Sequence, residues 1–79
     1  MSLKELNKEL LKRIDNEDLK VTIEDIEIEI SNNTDGTFEV VNNTNNKVLN
    51  LVKSDILDYL DILLKTRRYK DLDIKIETL

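Results

Sequence analysis

The sequence predicts an α+β domain, a small mostly antiparallel sheet with two helices packed on one face, in the order α-β-β-β-α-β. Three observations carry this. Leucines recur at helical spacing near the N-terminus, isoleucines alternate with glutamates through the middle, and helical spacing returns from Val48 before a last alternating stretch. Residues 1–79 form a single domain, since 79 residues leave no room for a second core.

The first helix is signalled at both ends. Ser2 with Glu5 three residues on is a capping box, in which side chains and backbone amides satisfy one another. Leu3, Leu6, Leu10, Leu11 and Ile14 form its apolar stripe, Glu9 and Arg13 make an i, i+4 pair, and the pattern stops in the polar cluster Asp15-Asn16-Glu17-Asp18. Leu19, Val21 and Ile23 then alternate, as do Ile26, Ile28 and Ile30. The phase slips by one residue between the two runs, so Glu24-Asp25 is either a bulge or a tight turn.

Parity decides the next turn. A two-residue Asp35-Gly36 loop would put Phe38 on the wrong face. A three-residue loop, Thr34-Asp35-Gly36 with glycine in the left-handed position, pairs Asn33 with Thr37 and Ile30 with Val40. Ile26, Ile28, Ile30, Phe38 and Val40 then share one face, and Glu27, Glu29, Glu39 and Val41 the other. Asn45 or Asn46 is the expected N-cap of a second helix, in which Leu49, Val52, Ile56, Tyr59 and Leu63 space as 3-4-3-4. A strand over Val48–Val52 followed by a shorter helix capped by Ser54 is the alternative. Leu72, Ile74 and Ile76 alternate with charged residues as a last strand.

Composition excludes more chemistry than it suggests. There is no cysteine and no histidine, which removes disulfides, thiolate metal sites and the commonest general base. The single glycine, Gly36, cannot build a phosphate cradle. No cofactor and no enzymatic activity are expected. No run approaches the roughly 20 apolar residues of a membrane span. The N-terminus reads as a helix rather than a signal peptide, so a cytoplasmic location is expected and Asn32-Asn33-Thr34 and Asn42-Asn43-Thr44 are turn residues, not glycan acceptors. Ser31–Gly36 resembles a calcium loop only faintly, because Ser31 and Asn42 stand where the carboxylates of such a loop belong. Thr66-Arg67-Arg68-Tyr69-Lys70 reads as a helix end, and Asp55, Asp58 and Asp61 as the wet side of a helix.

The charge distribution is the functional signal. Net charge is −5. Residues 1–20 hold five bases and five acids, residues 47–79 seven bases and six acids, and residues 21–46 six acids and no base. Glu27, Glu29, Asp35 and Glu39 of that middle segment, with only Lys20 and Lys75 nearby, are the candidate partner-binding residues. Glutamates across adjacent strands are expected to repel one another there. A thin core, free strand edges, and Val41 and Leu57 expected on exposed faces also suggest a homodimer.

The capped first helix, Asp18 before Leu19-Lys20-Val21, the acidic strands around Asp35-Gly36 and the following amphipathic helix resemble, over residues 6–64, the small acidic phage anti-CRISPR proteins that inhibit type II-A Cas9. Their C-terminal region is acidic, whereas Thr66–Lys70 here is basic. Frequent Lys, Asn and Ile fit a low-GC bacterium or its phage. The resemblance implies a phage-encoded, non-catalytic inhibitor in a bacterial host. Its acidic residues, Asp18, Glu27, Glu29, Asp35 and Glu39, would occupy the groove where a Cas nuclease reads target DNA, with no direct contact to nucleic acid or membrane. The alternative function is a protein–protein interaction module acting through an apolar helix or edge strand as a homodimer.

Overall fold

In the computed structural model, which describes residues 1–67 and 71–79, two helices lie on one face of a five-stranded antiparallel sheet. Helix α1 (Leu3–Arg13) starts at the capping box: the Glu5 amide donates to Ser2 Oγ at 3.2 Å and the Ser2 amide to Glu5 Oε1 at 3.1 Å. Leu3, Leu6, Leu10 and Ile14 are buried. Leu11 departs from the expected stripe and is 43% exposed, because it sits one residue, about 100° of helix turn, off the Leu10 ridge. Arg13 grips both carboxylate oxygens of Glu17 at 3.0 and 3.1 Å and closes the loop that follows.

Strands β1 (Leu19–Ile23) and β2 (Ile26–Asn32) pair with Ile23 opposite Ile26. Glu24-Asp25 is therefore a tight turn and not a bulge, with Glu24 at φ 54°. Residues facing each other across a hairpin must point to the same face, which is why the isoleucine phase slips there. β3 (Phe38–Asn42) follows the three-residue loop: the Asn33 amide donates to the Thr37 carbonyl at 3.0 Å, and Ile30 pairs with Val40. Gly36 takes φ +91°, and a Cβ there would meet nothing within 4 Å, so backbone conformation alone favours glycine.

The segment after β3 corrects the expected element order. Lys47–Leu51 is a fourth strand, β4, and helix α2 runs only from Lys53 to Leu63. Neither Asn45 nor Asn46 caps a helix. Both lie in the β3–β4 turn, with Asn46 at φ 60°. The N-cap is Val52, which makes no side-chain capping bond, and Ser54 lies inside the helix. The physical reason is local. Val48, Asn50 and Val52 are poor helix formers, while a strand here satisfies the backbone groups along the outer edge of β3. Only Ile56, Leu60 and Leu64 of the second helical region are fully buried, and Val52 is 44% exposed.

β5 (Ile74–Thr78) completes the sheet beside β1, in the order β4-β3-β2-β1-β5. α1 runs alongside it. The Leu72 amide donates to the Met1 carbonyl at 2.8 Å, and Arg13 reaches Thr78 Oγ1 at 3.2 Å at the other end. No basic residue occupies the last turn of α2; Lys65 and Arg67 lie past its end, and Arg67 stands 3.8 Å from Asp25. Arg68, Tyr69 and Lys70 of the basic cluster lie outside the described residues. Val41 and Leu57 are half-buried rather than exposed, whereas Leu11, Val48, Val52 and Ile62 are the surface apolars of the elements and their junctions.

One buried polar residue ties β3 and the turn that leads into β4 to α2. Asn42, 2% exposed, donates from Nδ2 to Tyr59 Oη at 3.0 Å, and its Oδ1 accepts the amides of Thr44 at 3.0 Å and Asn45 at 3.3 Å. Asn42→Ala leaves two turn amides without their acceptor and should destabilise the protein by about 1–3 kcal/mol, whereas Tyr59→Phe should lose only about 0.5–1.5 kcal/mol. Urea unfolding of the two variants checks the order. Leu10→Ala and Ile28→Ala, each emptying a fully buried site, should cost about 2–5 kcal/mol apiece. Thermal melts indistinguishable from those of the unsubstituted chain would contradict this core.

Candidate functional site

Alternation along the strands sends Leu19, Val21, Ile23, Ile26, Ile28, Ile30, Phe38 and Val40 under the helices. Everything of the opposite parity faces away from them. Across that open face one row of cross-strand neighbours runs Val48, Val41, Glu29, Lys20, Glu77 from β4 to β5. The row on one side places Glu39 between Asn50 and Ser31. The row on the other places Thr22 between Glu27 and Lys75.

This register corrects the expected repulsion. No glutamate of β2 or β3 sits directly opposite another acid: Glu29 lies between Val41 and Lys20, and Glu39 between Ser31 and Asn50. The face is acidic by composition, yet its carboxylates are spaced by neutral or basic neighbours. Lys20 Nζ approaches Glu27 Oε1 diagonally at 3.1 Å. Asn43 Nδ2 donates to Glu27 Oε2 at 2.8 Å and to Glu29 Oε2 at 2.5 Å, so one amide gathers both carboxylates. The Glu27 amide in turn donates to Thr44 Oγ1 at 3.0 Å, fixing the β3–β4 turn over β2.

The five candidate residues therefore separate into three places. Glu27, Glu29 and Glu39 share the open face. Asp18 is exposed at the foot of β1, where its carbonyl accepts the Leu79 amide at 2.8 Å. Asp35 belongs to the hairpin tip: its carboxylate accepts the Thr37 amide at 3.0 Å and the Thr37 hydroxyl at 2.5 Å, which is a turn-forming role. The Ser31–Gly36 segment is thus a hairpin end. Among the described residues no group of three or more acidic side chains is arranged to hold a metal ion.

Asn43 and Glu77 join the face without having been singled out from the sequence. The pairing of Ile30 with Val40 already places Asn43 opposite Glu27, so parity carried that signal. Glu77 depended on the partner of β5, which alternation does not reveal.

Hydrogen bonding lowers two of these carboxyl groups below their ordinary values. Donation from Asn43, then from Lys20, does so at Glu27, and donation from Thr37 does so at Asp35. Glu27 in turn raises the Lys20 ammonium.

A second feature lies on the far side of the molecule. Leu3, Lys4, Asn7, Lys8, Leu11 and Asp61 line an open groove of about 760 Å³ between the helices. Asn7 Oδ1 is buried there without a hydrogen-bond partner. Among the described residues no helix is long and apolar enough to cross a membrane. Comparison with protein-family models, with curated proteins and with solved structures finds no match to this chain.

Acid titration tests the hydrogen-bonded carboxylates. Glu27 and Asp35 have lowered folded-state values, as do Glu17, bonded to Arg13 and Thr78, and Glu5, bonded to Ser2. A lowered group contributes stability that is present above its unfolded value and is lost as pH falls through the folded one. The melting temperature should therefore hold between about pH 7 and 5 and fall below the ordinary glutamate value of 4.5. Glu27→Gln should make that fall shallower; a melting temperature that rises on acidification would contradict these assignments.

Proposed function

We propose that the protein is a non-catalytic inhibitor whose open acidic sheet face occupies a basic, nucleic-acid-binding surface of a host defence nuclease of the Cas9 class. The observation that carries this reading is the placement of Glu27, Glu29 and Glu39 on neighbouring strands of the face that neither helix covers. Held by β-sheet backbone, these carboxylates lose little freedom on docking. Glu39 offers both carboxylate oxygens to an arginine fork in the way a phosphate does. Glu29 offers the one that Asn43 does not hold, and Glu27, held by Asn43 and Lys20, adds its charge beside them. Such an interface gains on-rate and register from charge and weakens as salt rises. Cas9-type nucleases read their short DNA motif through paired arginines, which is the surface chemistry an acidic face would fit.

A second reading has one observation in its favour. Ile62, 73% exposed on α2, is the most exposed large apolar side chain among the described residues, and Leu11 is also exposed on α1. Docking through the helices would be apolar and nearly indifferent to salt.

Binding to a guide-loaded type II-A Cas9 separates the two. Glu27→Gln with Glu29→Gln keeps oxygen acceptors for Asn43 but removes both charges, and should weaken binding about tenfold or more. Glu27→Lys with Glu29→Lys should abolish it. DNA carrying the target motif should compete, and Asp58→Lys on the exposed side of α2 should change little. Full binding by the lysine double variant, checked as folded by circular dichroism, together with loss of binding on Ile62→Asp, would replace this reading with the helical one.

A further inference from the structure

The outer edge of β5 is self-complementary. Asp73 and Leu79 bond inward to β1, since the Glu24 amide donates to the Asp73 carbonyl at 2.8 Å and the Leu79 amide donates to Asp18 at the same distance. Hydrogen-bonded positions alternate along an antiparallel strand, so the amides and carbonyls of Ile74, Ile76 and Thr78 point outward. Among the described elements no strand pairs with that side.

We propose that this edge pairs with β5 of a second copy of the chain, antiparallel and about a two-fold axis through Ile76. Ile76 then exchanges both backbone bonds with the partner's Ile76, and Ile74 does so with the partner's Thr78. Lys75 falls opposite the partner's Glu77 at both symmetry-related positions. These are the non-hydrogen-bonded sites of the ladder, where opposed Cα atoms approach to about 4.5 Å and side chains meet most closely. Within one chain Lys75 Nζ and Glu77 Oε1 are already on the same face, 3.7 Å apart and largely exposed. On the helix side Ile74 and Ile76 are only half-buried by their own core and would be covered at the seam.

The opposite edge lacks this match. Two-fold pairing of β4 about Leu49 would set Lys47 against Leu51 and Val48 against Asn50, with no charge pair. Pairing of β4 with β5 would be head-to-tail, leaving a free edge at each end of the assembly unless the copies closed into a ring. The two-fold β5 pairing closes. It keeps all helices on one side and joins the two acidic faces into one sheet, whether or not that face binds a nuclease.

Sedimentation equilibrium from about 10 µM to 1 mM tests the pairing, with circular dichroism confirming the fold of each variant. The chain should approach twice its 9.3 kDa mass within this range. Lys75→Glu and Glu77→Lys each turn both cross-strand attractions into repulsions and should weaken the dimer about tenfold or more. An equimolar mixture of the two single variants, and the chain carrying both substitutions, should dimerise as tightly as the unsubstituted protein. A monomer mass throughout, single variants as tight as the unsubstituted chain, or a mixture no tighter than its components would each overturn the proposal.

Discussion

The structure depends on the two-sidedness of β2. Ile26, Ile28 and Ile30 go under the helices while Glu27 and Glu29, interleaved with them, cannot follow. Burying either carboxylate without a partner would cost several kcal/mol, of the order of a small domain's whole stability. The register of this strand is thereby fixed, and because β2 is central it transmits its phase to β1 and β3 through the ladders. Both helices must pack on the isoleucine side. The open acidic face is a direct consequence of that constraint.

The second hairpin was legible because it is local: Phe38 beside Ile30 requires three loop residues rather than two. The first was legible only in part, since the phase slip at Glu24-Asp25 fits a bulge as well as a turn, and the pairing of Ile23 with Ile26 decides it. β4 was not legible in the same way. Leu49 and Leu51 can be read at strand spacing, but Leu49, Val52 and Ile56 can equally be read at helical spacing. The decision rests on something outside the segment, the backbone groups that β3 would otherwise leave unpaired. By sequence Asn42 belongs to a turn. It is buried instead, because its one amide side chain serves the turn and Tyr59 together.

The acidic face shows how composition and arrangement differ. Six acids without a base in residues 21–46 suggest repulsion, but the register separates them with Val41, Ser31, Thr22 and Lys20. Asn43 then draws Glu27 and Glu29 towards one donor, so the negative charge is concentrated without acids directly opposed. Asp35, the most conspicuous acid by motif, serves its own turn. The face is therefore stable in the free protein and still presents Glu29 and Glu39 outward, which is what electrostatic docking requires.

Whether one face of the sheet is open and negatively charged can be read from solvent paramagnetic relaxation of methyl groups, using a neutral and a cationic probe in turn. The methyls of Val41, Val48 and Thr22 should be enhanced strongly, and more by the cationic probe than by the neutral one. Those of Val21, Ile28 and Val40 should be protected from both. Equal enhancement on the two sides of the sheet, or no preference between the probes at Val41 and Thr22, would contradict an open acidic face.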